Sequence, residues 1–315
     1  MKPVSFASIG ECMIELSAGK GADWRMGFAG DTFNTAWYVR AILPKAKRVA
    51  YVTGLGDDPF SEKMRDFFAD AGVETDRIRE VAGRRPGLYA ITLDKAERSF
   101  TYWRGESAAR SLADDAAWLK RALGDADMLY FSGITLAILA KPARQQLMKA
   151  LAAARKAGAT IAFDPNYRPV LWPSKKEARG AIAAAFAISD IALPTFSDAE
   201  VLFGDHSAGR AAARLVDAGV GEFVLKNGEN PALVFGDGRH GKVPPMRPKR
   251  MVDTTGAGDS FSGAYLAGRI LKLDPFSAAR LGHLVAAEVV GVHGALAKID
   301  GAQLLKAAEK VPHAA

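Results

Sequence analysis

A single cysteine, Cys12, in 315 residues excludes an internal disulfide and suits a reducing compartment, so a cytoplasmic protein is expected. No run of about 18 apolar residues occurs, and no basic stretch leads into an apolar one near the start, so neither membrane spanning nor secretion is expected. The histidines, His206, His240, His283, His293 and His313, form no i, i+4 pair and have no cysteine partners, which argues against a structural metal site. Excess charge is scarce too, with 42 Lys and Arg against 35 Asp and Glu. No stripe of cations interleaved with aromatics appears, and the short groups Lys45/Lys47/Arg48 and Arg247/Lys249/Arg250 read as solvated, so anionic small molecules are favoured over a polynucleotide. Repeats, low-complexity tracts and linkers are missing, and 49% hydrophobic with 24% charged residues is ordinary for a globular chain with a substantial core. The first strand is followed by Ile9-Gly10-Glu11-Cys12 rather than a Gly-rich fingerprint, which argues against a dinucleotide-dependent oxidoreductase.

What the chain does hold is Asp253-Thr254-Thr255-Gly256-Ala257-Gly258-Asp259-Ser260-Phe261. Beyond it Phe261, Ala264, Tyr265, Ala267, Leu271 and Leu273 recur at roughly helical spacing, which places the Gly256-Ala257-Gly258 turn at a helix N-terminus. Free N–H groups and the helix dipole attract anions there, and small residues let the backbone approach them. Asp259, one step along, can accept the proton of a hydroxyl that attacks a bound phosphate. The plain alternative is a Gly-rich loop capped by an aspartate, and the length of the pattern weighs against it.

Elsewhere strands alternate with helices. Residues 4–9, 48–53, 128–132, 160–163, 191–193 and 222–225 read as strands, and 32–43, 61–71, 141–157, 208–217, 275–292 and 301–310 as helices. This rhythm predicts an α/β fold on a doubly wound, mainly parallel sheet flanked by helices. Two segments break it: 88–93 and 98–104 alternate as an antiparallel pair turning near Asp94-Lys95, and 12–28 holds short strands with glycine. Gly236-Asp237-Gly238-Arg239-His240-Gly241-Lys242-Val243 nearly spells a phosphate loop. Val243, however, stands where Ser or Thr would ligate magnesium, and Pro244-Pro245 follow where a helix should begin, so a hairpin tip between 232–235 and 242–243 is expected.

Residues 253–261 resemble the C-terminal signature of the PfkB (ribokinase-like) family of carbohydrate kinases. Gly30-Asp31-Thr32-Phe33-Asn34-Thr35-Ala36 is similar to that family's N-terminal Gly/Asn motif, Gly54-Leu55-Gly56-Asp57-Asp58-Pro59-Phe60 to its second Gly/Asp turn, and Lys226-Asn227-Gly228 to its Lys-x-Gly. They stand in the family's order across nearly the whole chain. The resemblance implies a ribokinase-like core of residues 1–11, 32–83 and 108–315, with a small inserted β-lid, residues 12–31 and 84–107, that closes over the sugar. It implies ATP and Mg2+ as cofactors, with a monovalent cation as a further candidate, and a homo-oligomer whose other partners are small molecules.

Phe163-Asp164-Pro165-Asn166-Tyr167-Arg168-Pro169-Val170-Leu171-Trp172 resembles the Asp-Pro-Asn-x-Arg-x-x-Leu-Trp segment of the subgroup acting on 2-keto-3-deoxygluconate (2-dehydro-3-deoxygluconate). Tyr102-Trp103-Arg104 before Ser107-Ala108-Ala109, and Gly87-Leu88-Tyr89, look like the lid of that subgroup. An acidic sugar suits these residues, because a carboxylate is held best by planar, charge-assisted donors. By the resemblance, Gly30, Asp31 and Asn34 hold the sugar, and Tyr89, Tyr102, Arg104 and Arg168 contact its acid and keto end. Asn166, Lys226, Gly228, Gly256 and Gly258 contact ATP, with Arg168 assigned to the nucleotide side as well. Gly256, Ala257 and Gly258 serve catalysis with Asp259 as the base, and His293-Gly294-Ala295 borders the adenine. Two departures stand out. Thr195-Phe196-Ser197-Asp198 and then Glu200 replace the family's Asn-x-x-Glu, leaving Asp198 as a magnesium candidate acting through water, and Pro231 replaces a glycine common in the nucleotide loop. Alternatives stay open: a kinase of fructose, ribose or a nucleoside, which would not need both arginines; a non-catalytic sugar- or nucleotide-sensing protein, against which Asp259 stands; and merely structural roles for Arg168, as a loop brace, and Arg104, as a solvated strand residue.

Overall fold

Alternation of side chains across a sheet decides how this chain layers. In the computed structural model, which describes residues 1–19, 23–94 and 97–309, thirteen strands carry that alternation. They are β1 (Phe6–Ile9), β2 (Met13–Ala18), β3 (Trp24–Ala29), β4 (Val49–Leu55), β5 (Ile78–Glu80), β6 (Leu88–Asp94), β7 (Glu97–Trp103), β8 (Met128–Ser132), β9 (Thr160–Asp164), β10 (Ile191–Ala192), β11 (Glu222–Leu225), β12 (Ala232–Gly236) and β13 (Arg239–Val243). Among the described residues, nine of them form one sheet in the order β13-β12-β11-β10-β9-β8-β1-β4-β5. Every pairing from β11 to β5 is parallel, and only the β11-β12-β13 edge is antiparallel.

Both faces of this sheet are covered, so its central strands are buried and largely apolar. Phe6 of β1 and Met128 and Tyr130 of β8 point into one buried cluster, with Phe33 and Val39 of the Asp31–Ile42 helix, Phe68 of the Pro59–Asp70 helix and Leu266 of the Ala257–Ile270 helix. Ala7 and Ile9, Leu129 and Phe131 point the other way, onto Leu147 and Leu151 of the Lys141–Lys156 helix and Ile182 of the Lys175–Ala187 helix. Local signals start the helices: Asp58 and Asp274 cap first turns that carry Pro59 and Pro275, and Ser174 caps the Lys175–Ala187 helix. The resulting α/β architecture is the one the alternating pattern predicts. Five elements escaped that pattern: β5, the Ala116–Leu123 helix, the Gly133–Ile138 helix, the Lys175–Ala187 helix and the Phe196–Phe203 helix.

The near-phosphate-loop sequence is the hairpin β12-β13, closed by Asp237 and Gly238 at φ +50° and +73°. The remaining strands form a second, four-stranded sheet in the order β3-β2-β6-β7. Its two hairpins join through β2 and β6, which run parallel, Ile14 opposite Leu88. Lys95, in the turn expected between β6 and β7, lies outside the described residues, as does Lys310 at the expected end of the last helix. Among the described residues no helix is long and apolar enough to cross a membrane.

Candidate functional site

The chain reverses its direction of travel across the main sheet at β1, going to β4 on one side and β8 on the other, and such a reversal opens a crevice at the carboxyl ends of the strands. A cavity of about 640 Å³ lies there, lined by residues from both sheets. It gathers Gly30, Asp31 and Asn34 from the start of one helix, Asn166 and Arg168 from the loop after β9, Asp198, Lys226, and Gly256 to Asp259. Tyr89, Tyr102 and Arg104 face it from the smaller sheet. Gly228 is not on this wall; it turns the chain just beyond β11 at φ +58°.

The floor is built by two helix starts that touch. Gly256 precedes the Ala257–Ile270 helix at φ +76°, and a Cβ there would stand 2.9 Å from Ala295, so glycine is required on both counts. No side chain caps this helix. The amide of Ala257 is bonded to the Thr254 carbonyl at 3.2 Å, while Gly258 and Asp259 lie in the open first turn. Asp253 ties the preceding loop to the 293–295 segment by accepting from the Thr255 amide at 3.0 Å and the Gly294 amide at 2.8 Å.

Asn34, on the first turn of the other helix, donates Nδ2 to Asp259 Oδ2 at 2.8 Å. Burial, then the nearby charge of Asp31, pushes the Asp259 carboxyl up to about 7, against the pull of the Asn34 bond. Asp31 is raised as well, chiefly by burial, although Ser132 and Asn166 donate hydrogen bonds to it and Arg168 adds favourable charge. Asn166 donates Nδ2 to Asp31 Oδ2 at 2.9 Å from a backbone at φ +31°.

Opposite, Lys226 Nζ donates to Asp164 Oδ2 at 2.7 Å and to Ser262 Oγ at 3.1 Å. Asp198 accepts the Tyr167 amide at 3.2 Å, and burial, followed by the charge of Asp164, raises its carboxyl. Arg168 is exposed along the cavity and is in no ion pair among the described residues. On the smaller sheet, Tyr89 and Tyr102 stand with ring centroids 5.8 Å apart, and Tyr89 donates its hydroxyl to Glu15. Arg104 donates to Glu11.

Glu11 and Asp164 both line the cavity and were not singled out from the sequence. Asp164 was within reach, since it opens the Asp-Pro-Asn segment that carried Asn166 and Arg168. Glu11 gave no signal, because its significance lies in a partner 93 positions away.

Residues 5–300 match the model of the family described as pfkB family carbohydrate kinase. A curated 2-dehydro-3-deoxygluconokinase from Dickeya dadantii is 43% identical over 307 residues, covering 95% of this chain and 99% of the relative. Fructokinase-1 of Zea mays is 34% identical over 233 residues, 72% of this chain and 69% of the relative. Among solved structures, a kinase from Escherichia coli named for ribokinase II, in complex with ATP and Mg2+, superimposes with a TM-score of 0.81 at 24% identity, covering 97% of this chain and 98% of that one; this likeness speaks to the fold alone.

Proposed function

The chain belongs to the pfkB family of carbohydrate kinases, and from that premise we propose that it transfers the γ-phosphoryl group of ATP to the 6-hydroxyl of 2-dehydro-3-deoxygluconate. The observation that carries this reading is a single cavity holding a hydrogen-bonded Asp259 at an uncapped helix start together with the guanidinium of Arg168, which is in no ion pair among the described residues. The name of the 43% identical relative supports the same substrate.

In this reading the γ-phosphate lies over the first turn of the Ala257–Ile270 helix, drawn by its amides and dipole. Asp259 accepts the proton of the 6-hydroxyl, the hydroxyl oxygen bonds to phosphorus as the bond to the departing oxygen breaks, and the 6-phosphate and ADP result. Lys226 supplies positive charge beside the phosphates, and Asn34 keeps the carboxylate of Asp259 aimed. Residues 12–31 and 84–107 act as the lid that excludes water from the transfer. Mg2+ keeps water and phosphate ligands and takes one or two carboxylates, and Asp198 on the cavity wall is such a carboxylate. Asp198 would hold it, through water, where it would neutralise phosphate charge. Exposed Trp24, Met26 and Trp103 on the lid support a homo-oligomer.

An ADP-release assay across 2-dehydro-3-deoxygluconate, its galacto epimer, gluconate, fructose, ribose and adenosine should give the highest kcat/KM with the keto-deoxy acid. Fructose or ribose in first place would replace the substrate while leaving the kinase. That neutral-sugar reading has one observation in its favour: Arg104 already pairs with Glu11, which leaves Arg168 to meet an anion. Repeating the assay with and without K+ tests the monovalent-cation requirement.

Arg168→Ala separates the two. Losing one charge-assisted hydrogen bond should lower kcat/KM for the acid by roughly 10- to 150-fold and affect a neutral sugar far less. Equal losses for both sugar classes, with weakened ATP binding, would assign Arg168 to the nucleotide.

A further inference from the structure

Glu11 lies where the chain leaves β1 for the lid, and Arg104 where it returns from β7 to the core. Their ion pair therefore straddles two of the lid's crossings. The Glu11 side chain is fully buried and that of Arg104 is 11% exposed. Burying such a pair seldom stabilises a fold more than apolar residues of equal volume would, so its value is sought in what it positions.

Three contacts confine the pair. Glu11 Oε2 accepts from the guanidinium, the Tyr102 ring lies beneath it with 5.9 Å between Cζ and the centroid, and Gly87 packs against both partners. A Cβ on Gly87 would meet Glu11 Oε1 at 2.8 Å, Met13 Cγ at 3.0 Å and Arg104 Cβ at 3.2 Å, so glycine leaves the pair and Met13 room. The pair is also incomplete: Glu11 Oε1 and Arg104 Nε are buried and have no hydrogen-bond partner among the described residues.

The same cavity carries Asp31, Asp164, Asp198 and Asp259. Without a partner, the long arm of Arg104 would be free to swing toward these carboxylates and away from the lid-side wall. Glu11 prevents this by keeping the guanidinium on the lid side.

The geometry points to Glu11 as a positioning residue for the acidic end of the substrate: buried against Gly87, it holds Arg104 at the lid-side wall of the cavity and acts on the sugar acid only through that guanidinium. This rests on the reading above that the substrate is a sugar acid.

The test is a double-mutant cycle with 2-dehydro-3-deoxygluconate and ATP, using Glu11→Gln, Arg104→Ala and the double variant, with thermal melts in parallel. Glu11→Gln should raise KM for the acid about 10-fold or more, the scale of one charge-assisted hydrogen bond, while KM for ATP stays within about twofold. Arg104→Ala strands a buried carboxylate facing an anionic substrate, so adding Glu11→Gln in that background should cost nothing further and should recover part of the lost affinity. Gly87→Ala, which crowds the pair without removing a charge, should reproduce the rise in KM for the acid, and it carries the test if Glu11→Gln does not fold. Multiplicative effects of the two substitutions, or an unchanged KM for the acid in Glu11→Gln, would overturn the inference. So would a joint loss of both KM values and of melting temperature, the mark of a merely structural pair. If the wild type prefers a neutral sugar in the ADP-release panel, the substrate reading fails; if it prefers the acid and the cycle is multiplicative, only the role of Glu11 fails.

Discussion

Asp259→Asn is expected to lower kcat by at least about 10²-fold, the low end for loss of a general base, while ATP binding stays close to that of the wild type. Asparagine preserves the size of the side chain and can still meet Asn34, so the loss isolates proton acceptance from packing. The same substitution has a signature in stability. The Asp259 carboxyl moves from an ordinary 3.8 to about 7 on folding, so between these values the folded chain holds a proton that the unfolded chain has released. Folding stability from this group therefore falls as pH rises across that window. The variant, which never ionises there, should melt at a progressively higher temperature relative to wild type between pH 5 and pH 8. In the wild type, kcat/KM should rise with pH through about 7 as the base ionises. A near-normal kcat in the variant would place the base elsewhere.

Gly258→Val should abolish most turnover without unfolding the protein. A Cβ at this position finds Lys226 Nζ as its nearest neighbour, 3.8 Å away, so the substitution fits the fold and fills the space above the open helix turn. A phosphate could then no longer reach the first-turn amides, and a loss of at least about 10²-fold is expected, the scale for removing one donor from an anion hole. The melting temperature should move by less than about 4 °C. Gly256→Val is the contrast: at φ +76° and against Ala295, it should lose fold and activity together. Unchanged turnover in Gly258→Val would mean that the phosphate is held elsewhere.

The α/β architecture could be read from the chain because buried parallel strands are short apolar runs, and the runs at β1, β8, β9 and β11 are bounded by turns and helices that announce themselves. Capping chemistry would have revealed the Lys175–Ala187 helix as well, through Ser174 followed by Glu177, but its long alanine run gives little periodicity. β5, at three residues, owes its existence to the edge of β4 rather than to its own pattern. The separate motifs of the cavity are local and could be recognised one by one. Their connections are not local. Asn34 meets Asp259 across 225 positions and Lys226 meets Asp164 across 62, and no spacing rule within a segment reports such contacts.

The parallel union of β2 with β6 has a bearing on the order in which the chain folds. Glu15 and Tyr89 are neighbours across that ladder yet 74 positions apart, and the chain between them supplies the Asp31–Ile42 helix, β4, the Pro59–Asp70 helix and β5 to the core. Closing so long a loop is entropically costly until the intervening elements are packed, so the four-stranded sheet forms only after that part of the core. It also gives way first: amides of β2 and β6 should exchange with solvent by local opening, while those of β1 and β4 exchange only on global unfolding. The molecule thus builds its floor before its cover, and sheds the cover without risking the floor.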